Sequence, residues 1–111
     1  MTVFILSCAD AIALEKRPDS GVLANMWQLP NVAGKLELGD ALAEVERVGL
    51  KPREIVKIVE KKHIFTHIEW DMRGVYVEIA EQSGPYTWLT AQQRDEQAGL
   101  PTAFRQFLEN L

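Results

Sequence analysis

Cysteine is almost absent from this 111-residue sequence, which contains only Cys8. One cysteine cannot form a disulfide within the chain, and it cannot hold an iron–sulfur cluster or a cysteine-rich zinc site. We therefore predict no cofactor for these residues. Because Cys8 lies inside the apolar run "VFILSCA", we predict that it is a small buried hydrophobic residue.

Long apolar runs and an excess of positive charge are missing as well. No run approaches the roughly 20 apolar residues of a membrane-spanning helix, and the first one lacks the basic flank of a signal peptide. We therefore predict a cytoplasmic protein. The formal net charge of −4 argues against binding nucleic acid by bulk electrostatics alone. Cations nevertheless gather locally, at Lys57, Lys61, Lys62 and His63 and at Lys16 and Arg17.

The first half of the chain has the pattern of strands followed by a helix. Strand patterns cover residues 3–9 and 11–16, and "NMWQLPNV" predicts a short strand that ends at Pro30. Asp40 is the predicted N-cap of a helix whose apolar residues repeat at helical spacing until Gly49. Composition and length are those of one soluble domain, with 47% hydrophobic and 25% charged residues.

The second half predicts two antiparallel strands and two short helices. Residues 54–60 and 68–79 have strand patterns, so residues 61–67 form the predicted connection. The apolar residues change parity at Gly74, which predicts a bulge. A Thr90-x-x-Gln93 capping box opens one helix. A last helix carries core residues at Phe104, Phe107, Leu108 and Leu111, and core packing is also predicted for Trp27, Trp70 and Trp88.

These elements predict an α+β domain in which helices pack on a mixed, curved sheet. The stretch "ALEKRPDSGVLANMWQLPNVAGKLELGDAL" resembles the first half of a Nudix domain, where a strand-loop-strand leads through a glycine into the catalytic helix. The resemblance implies a Nudix-like α/β/α sandwich covering residues 1–111 as a single domain.

The second half resembles the C-terminal domain of the MutY family of adenine DNA glycosylases. The motifs that carry this resemblance are "HIFTHIEWDM", "YTWLT" and "LPTAFRQF". Members of the family remove adenine paired with 8-oxoguanine, using an N-terminal helix-hairpin-helix domain with an iron–sulfur cluster. The resemblance therefore implies a non-catalytic part of a longer glycosylase, with the cluster in the missing N-terminal domain, so that Met1 need not be the native start.

The same resemblance implies site residues and partners. Phe65 would wedge between or stack on bases, Thr66 would read the lesion edge, and His67 would contact the DNA backbone. Beside the residues that the resemblance implies, the local charge predicts that Lys61, Lys62 and His63 also contact the DNA, with solvated surface as the alternative for Lys62 and His63. The implied partners are double-stranded DNA containing an 8-oxoguanine:adenine mispair and the N-terminal catalytic domain of the same parent chain.

Elementary chemistry agrees with the role implied for Thr66. In 8-oxoguanine, C8 carries an oxygen acceptor and N7 carries a hydrogen, so an acceptor of guanine has become a donor. A hydroxyl both donates and accepts, and Thr66 with its backbone N–H could therefore satisfy the altered edge. Normal guanine would mismatch at N7.

Three other hypotheses remain open. A Nudix hydrolase of oxidised nucleotides needs Mg²⁺ on several helix carboxylates. Gly34 and Gly49, however, lie about a turn and a half of helix too close together for the Nudix sequence motif. Few carboxylates fall at the metal-binding positions of that motif. We predict that Glu44 and Glu46 form a solvated helix face instead. His63 and His67 could ligate zinc, although no third ligand is evident. A purely structural module would contact no base, and Thr66→Ala would leave the preference for the lesion unchanged.

Overall fold

A mixed sheet and three helices make up residues 1–109, the part of the chain that the computed structural model describes. The strands are β1 (Thr2–Cys8), β2 (Ala11–Lys16), β3 (Trp27–Gln28), β4 (Asn31–Val32), β5 (Pro52–Ile64), β6 (Glu69–Ile79) and β7 (Thr87–Thr90). The helices are α1 (Leu38–Arg47), α2 (Ala91–Gln97) and α3 (Thr102–Arg105). β1 and β6 pair in parallel at the centre of the strand order β3-β2-β1-β6-β5, while β4 pairs with β1 and β7 with β2. The predicted α+β class with a mixed sheet is confirmed.

The strands of the first half follow the predicted pattern closely. β1 and β2 confirm the strands predicted at residues 3–9 and 11–16, and residues 3–6 are each at most 3% exposed. Such a run is typical of a strand covered on both faces. The strand predicted to end at Pro30 is confirmed as the short β3, and a second short strand that was not predicted, β4, follows the proline. Pro30 lies between them and has no N–H to donate to a ladder.

Each face of the sheet carries its own buried cluster. The α3 face is the side that packs against α3, and its cluster includes Met72, Phe104 and Phe107. The α1 face is the side that packs against α1, and its cluster includes Val45 and Val75. Alternate residues of β6 point to opposite faces, so its apolar residues enter both clusters.

The bulge predicted at Gly74 is wrong. Gly74 pairs with Val59 in an unbroken antiparallel register, and the irregularities lie in β5, between Pro52 and Glu54 and between Ile55 and Lys57. The change in apolar parity on β6 arises because both of its faces are buried. Glycine is needed at position 74 for a different reason: an added Cβ would lie 2.5 Å from a ring carbon of Phe107.

The helix boundaries confirm some predicted caps and correct another. Asp40 is not the N-cap of α1, because the helix begins at Leu38 and its N-cap, Glu37, makes no side-chain capping hydrogen bond. The carboxylate of Asp40 lies in the first turn, where it faces the positive end of the helix dipole. Gly49 follows α1 with a φ of +91°, as expected of a residue ending a helix. The Thr90 capping box is confirmed on α2.

The C-terminal segment is less helical than predicted. α3 spans four residues, yet Phe104 and Phe107 are fully buried, which confirms their place in the core. Leu108 is half-buried, and Leu111 lies outside the described residues. The three tryptophans are partly exposed but pack against the two core clusters, which confirms the predicted core packing. Cys8 is partly exposed rather than fully buried. None of the helices within residues 1–109 is long and apolar enough to cross a membrane.

Candidate nucleic-acid interface

The tip of the β5–β6 hairpin presents two polar side chains to solvent. The Phe65 N–H donates to the Ile68 carbonyl at 2.7 Å, which closes the turn and leaves Thr66 and His67 at its end. Both side chains are exposed, and within the described part of the chain neither makes a hydrogen bond. The Thr66 hydroxyl is therefore free to donate and to accept at the same time.

The hairpin is longer than the sequence predicts. Residues 61–67 were expected to form the connection, but β5 continues to Ile64 in regular pairs with β6, down to Ile64 opposite Glu69. Backbone pairing with β6 extends the strand through this charged stretch, because nothing in it breaks a ladder. Strand alternation then separates neighbours: Lys61 and His63 point to the α3 face, whereas Lys62 points to the α1 face.

Aromatic rings support the hairpin tip from the α3 face. The Phe65 ring lies edge-on to the His63 ring at 4.6 Å between centroids and to the Trp70 ring at 4.9 Å. Trp70 in turn lies 5.6 Å from the ring of Phe104 in the core. Phe65 is consequently half-buried, and only part of its ring is available for a contact outside the protein.

Arg17 is a supporting residue that the sequence did not identify beyond its place in a basic pair. Its guanidinium lies over the Trp70 ring at 5.0 Å. The same group donates to the Val22 carbonyl at 2.9 Å and to Gln28 Oε1 at 2.7 Å. Since Arg17 and Trp70 are far apart in the chain, no local pattern predicts this contact. Arg17 therefore links the 18–25 loop to Trp70, the ring that lies between Phe65 and Phe104.

The α1 face of the hairpin carries paired charges. Lys62 Nζ lies 3.5 Å from Glu69 Oε1, and Lys35 Nζ lies 2.9 Å from Glu60 Oε1 and 2.8 Å from Asp71 Oδ1. The hydrogen bonds from Lys35 lower the pKa values of Glu60 and Asp71. Such exposed pairs add little to the stability of the fold. Their main effect is to neutralise this face.

A cavity of about 250 Å³ lies between the sheet and α1. Glu15, Glu44 and Tyr86 contribute polar groups to its lining. Burial raises the pKa of the Glu15 carboxyl, and a hydrogen bond from Gln28 at 2.7 Å opposes the shift. Burial also raises the pKa of Tyr86, with smaller contributions from the Glu15 and Glu44 carboxylates. An ionised Glu15 is therefore poorly solvated at neutral pH.

Glu15→Gln is expected to stabilise the protein at about pH 7, with a benefit that disappears below about pH 4. The folded-state pKa of Glu15 lies above its ordinary value of 4.5. Between those two values the folded state binds more protons than the unfolded state, so the free energy of unfolding falls as pH rises through the window. Glutamine cannot ionise and can still accept from Gln28. Urea unfolding of both proteins at the two pH values measures the difference, and an equal difference at both would contradict the prediction.

The carboxylates of α1 do not assemble as a magnesium site requires. Glu44 is half-buried and engages Arg47, whose Nε donates to Glu44 Oε2 at 3.0 Å, while Glu46 is exposed. The prediction of a solvated face is thus correct for Glu46 and wrong for Glu44, which lines the cavity. Within residues 1–109, no group of three or more His, Cys, Asp or Glu side chains could hold a metal ion. His63 lies on a strand beside Phe65, and His67 lies at the turn.

Comparisons with known proteins agree with this fold. A family model described as NUDIX domain matches residues 2–110. Among solved structures, the chain is similar to one in the crystal structure of the complex between the C-terminal domain of mouse MUTYH and human PCNA. The sequences are 22% identical, with a TM-score of 0.60 over 96% of this chain and 82% of that chain. Curated proteins give no significant match. The Nudix-like fold expected from the sequence is confirmed.

Proposed function

The chain belongs to the NUDIX domain family, and within that family we propose that it is a non-catalytic DNA-repair domain that recognises 8-oxoguanine paired with adenine. The observation that carries the proposal is the position of Thr66, whose unpaired hydroxyl stands at the exposed tip of a hairpin fixed in the sheet. The likeness to the C-terminal domain of mouse MUTYH supports a role in the same kind of protein.

The proposed contact uses the two groups that distinguish the lesion from guanine. The Thr66 hydroxyl would accept from N7–H, and its own proton or the Thr66 backbone N–H would donate to O8. A paired contact of this kind discriminates by about 1–3 kcal/mol. A short turn on a long antiparallel ladder holds the backbone of Thr66 in place, so little backbone ordering cost is added on binding.

Phe65 and His67 would assist from either side of Thr66. The exposed part of the Phe65 ring would stack on a base, a contact typically worth about 1–3 kcal/mol. Because His63 and Trp70 flank this ring, Phe65 would act as a rigid wedge and would not move freely. His67, exposed at the tip, would donate to a phosphate and fix the register of the hairpin on the duplex.

A separate lesion reader suits an adenine glycosylase. Undamaged adenine carries no mark of its own, and extruding it from the duplex costs a few kcal/mol. Selectivity must therefore come from the opposite base. We infer that an N-terminal catalytic domain of the same parent protein excises the adenine and holds the iron–sulfur cluster, while this domain supplies the recognition.

Thr66→Ala is expected to lower the preference for the lesion by about 5- to 150-fold, the equivalent of about 1–3 kcal/mol. The measurement is equilibrium binding of the chain to two duplexes that differ only in 8-oxoguanine or guanine opposite adenine. Thr66→Ser keeps the hydroxyl and is expected to retain the preference. If the alanine variant discriminates as well as the original protein, the domain is a structural module and the proposal fails.

A further inference from the structure

The β5–β6 hairpin separates its charges by face. Between the Lys57–Tyr76 pair and the His63–Trp70 pair, the residues pointing to the α3 face include no carboxylate. The basic residues there are Lys57, Lys61 and His63. In the corresponding stretch of the α1 face, Glu60 and Asp71 both occur, and Glu69 follows at the end of the ladder. Farther from the tip, Glu78 lies on the α3 face and pairs with Arg53 at 3.6 Å. The stretch from Lys57 to His63 is thus a local basic strip of the α3 face in a domain whose net charge is negative.

The two faces also differ in how their charges are satisfied. The three carboxylates of the α1 face all lie within 4.0 Å of a lysine or arginine. By contrast, no ion pair within residues 1–109 involves Lys57 or Lys61. Lys57 Nζ lies 4.6 Å above the ring of Tyr76, and on the neighbouring part of this side Lys16 Nζ lies 5.3 Å from the Trp27 ring. A cation–π contact with an aromatic ring holds an ammonium group in position without neutralising its charge.

We propose that the α3 side of β5 is a phosphate-binding track on which one strand of a DNA duplex lies, contacted by Lys57 and Lys61, while the α1 face points away from the DNA. The inference rests on the proposed function, and it adds Lys57 to the interface and removes Lys62 from it. β5 is the edge strand of the sheet, so nothing within the sheet covers these side chains on the outer flank. Lys57 is exposed and Lys61 half-exposed.

The position of the track, which leads to the proposed DNA contact at the hairpin tip, favours nucleic acid over an acidic peptide. A strand rises about 3.3 Å per residue, which places the Cα atoms of Lys57 and Lys61 about 13 Å apart along a straight line. Phosphates on one DNA strand rise about 3.4 Å per nucleotide and also turn by about 35° around the helix axis, so two lysines about 13 Å apart reach phosphates about two nucleotides apart. The track ends at His63, two residues before the reading tip, and is therefore continuous with the proposed lesion contact.

Lys61 and Lys62 provide a charge-matched test, because they are adjacent in sequence and point to opposite faces. The measurement is binding of the chain to an undamaged duplex across a series of salt concentrations, by fluorescence anisotropy. Lys61→Gln and Lys57→Gln are each expected to lower the slope of log affinity against log salt by about 0.9. Lys62→Gln makes the same change in net charge and is expected to leave the slope unchanged.

Equal slopes for the Lys61 and Lys62 variants would overturn the proposal, and so would no measurable binding of the original chain at low salt. Competition with polyglutamate separates the two polymer classes: if it displaces the duplex at equal charge concentration, the track is a general anion surface and not a DNA site. Because the duplex is undamaged, the outcome is independent of Thr66. If the Lys57 and Lys61 variants lower the slope while Thr66→Ala leaves the lesion preference unchanged, the track is retained and the proposed function fails.

Discussion

Phe104→Ala is expected to reduce the free energy of unfolding by about 3–5 kcal/mol, the usual range for deleting a buried phenylalanine ring. Phe104 is 0% exposed and belongs to the cluster of the α3 face. Domains of this size are stable by about 5–15 kcal/mol in total, so the loss is a large part of the whole. Urea unfolding monitored by tryptophan fluorescence gives the value.

The same substitution is expected to loosen the hairpin tip, because Phe104 contacts Trp70 and Trp70 contacts Phe65. Hydrogen exchange at the Phe65 amide, which is bonded to the Ile68 carbonyl, reports on that effect. Leu108→Ala is the control, since Leu108 is half-buried against the same cluster but lies outside the series of ring–ring contacts that joins Phe65, Trp70 and Phe104. If the Phe65 amide keeps its protection in Phe104→Ala under native conditions, or loses no more than in Leu108→Ala, these ring contacts do not support the tip.

Gly74→Val is expected to prevent stable folding, and Gly74→Ala to destabilise the domain by about 1–3 kcal/mol or more. An added Cβ would lie 2.5 and 2.7 Å from two ring carbons of Phe107 and 3.3 Å from Cδ1 of Ile5. The Phe107 ring cannot easily move away, because it is fully buried and its backbone carbonyl accepts a hydrogen bond from the Tyr76 hydroxyl.

A double-mutant cycle separates this clash from a general intolerance of substitution in β6. Phe107→Leu shortens the side chain that the new Cβ would meet. The Gly74→Ala and Phe107→Leu pair is therefore expected to lose less stability than the two single variants added together, with a coupling of about 0.5–3 kcal/mol. Strict additivity in denaturant unfolding would show that Phe107 is not what requires glycine at position 74.

Local patterns were sufficient for elements whose determinants lie nearby in sequence. The apolar runs of β1 and β2 and the Thr90–Gln93 capping box depend on residues within a few positions of each other. The predictions that failed depend on distant partners. The sequence predicts a bulge at Gly74 because the residue that leaves no room for a Cβ there, Phe107, lies 33 residues later in the chain.

The candidate site could be located from sequence, but its orientation could not. The motif around Phe65, Thr66 and His67 does lie at a hairpin tip. The sequence suggests one basic group at Lys61, Lys62 and His63, because the predicted strand corresponding to β5 ends before these residues. Only the register with β6 shows that Lys62 points away from the other two and pairs with Glu69.

The parallel pairing of β1 with β6 has a consequence for how the domain folds. The β5–β6 hairpin closes through a local turn, whereas the contact between Met1 and Asp71 joins residues 70 positions apart. Distant pairings are slower to form than local ones, because chain entropy must be lost before they contribute any stability. We expect the hairpin that carries Thr66 to form early on the folding pathway and β1 to dock against it late, which makes completion of the central sheet the rate-limiting event.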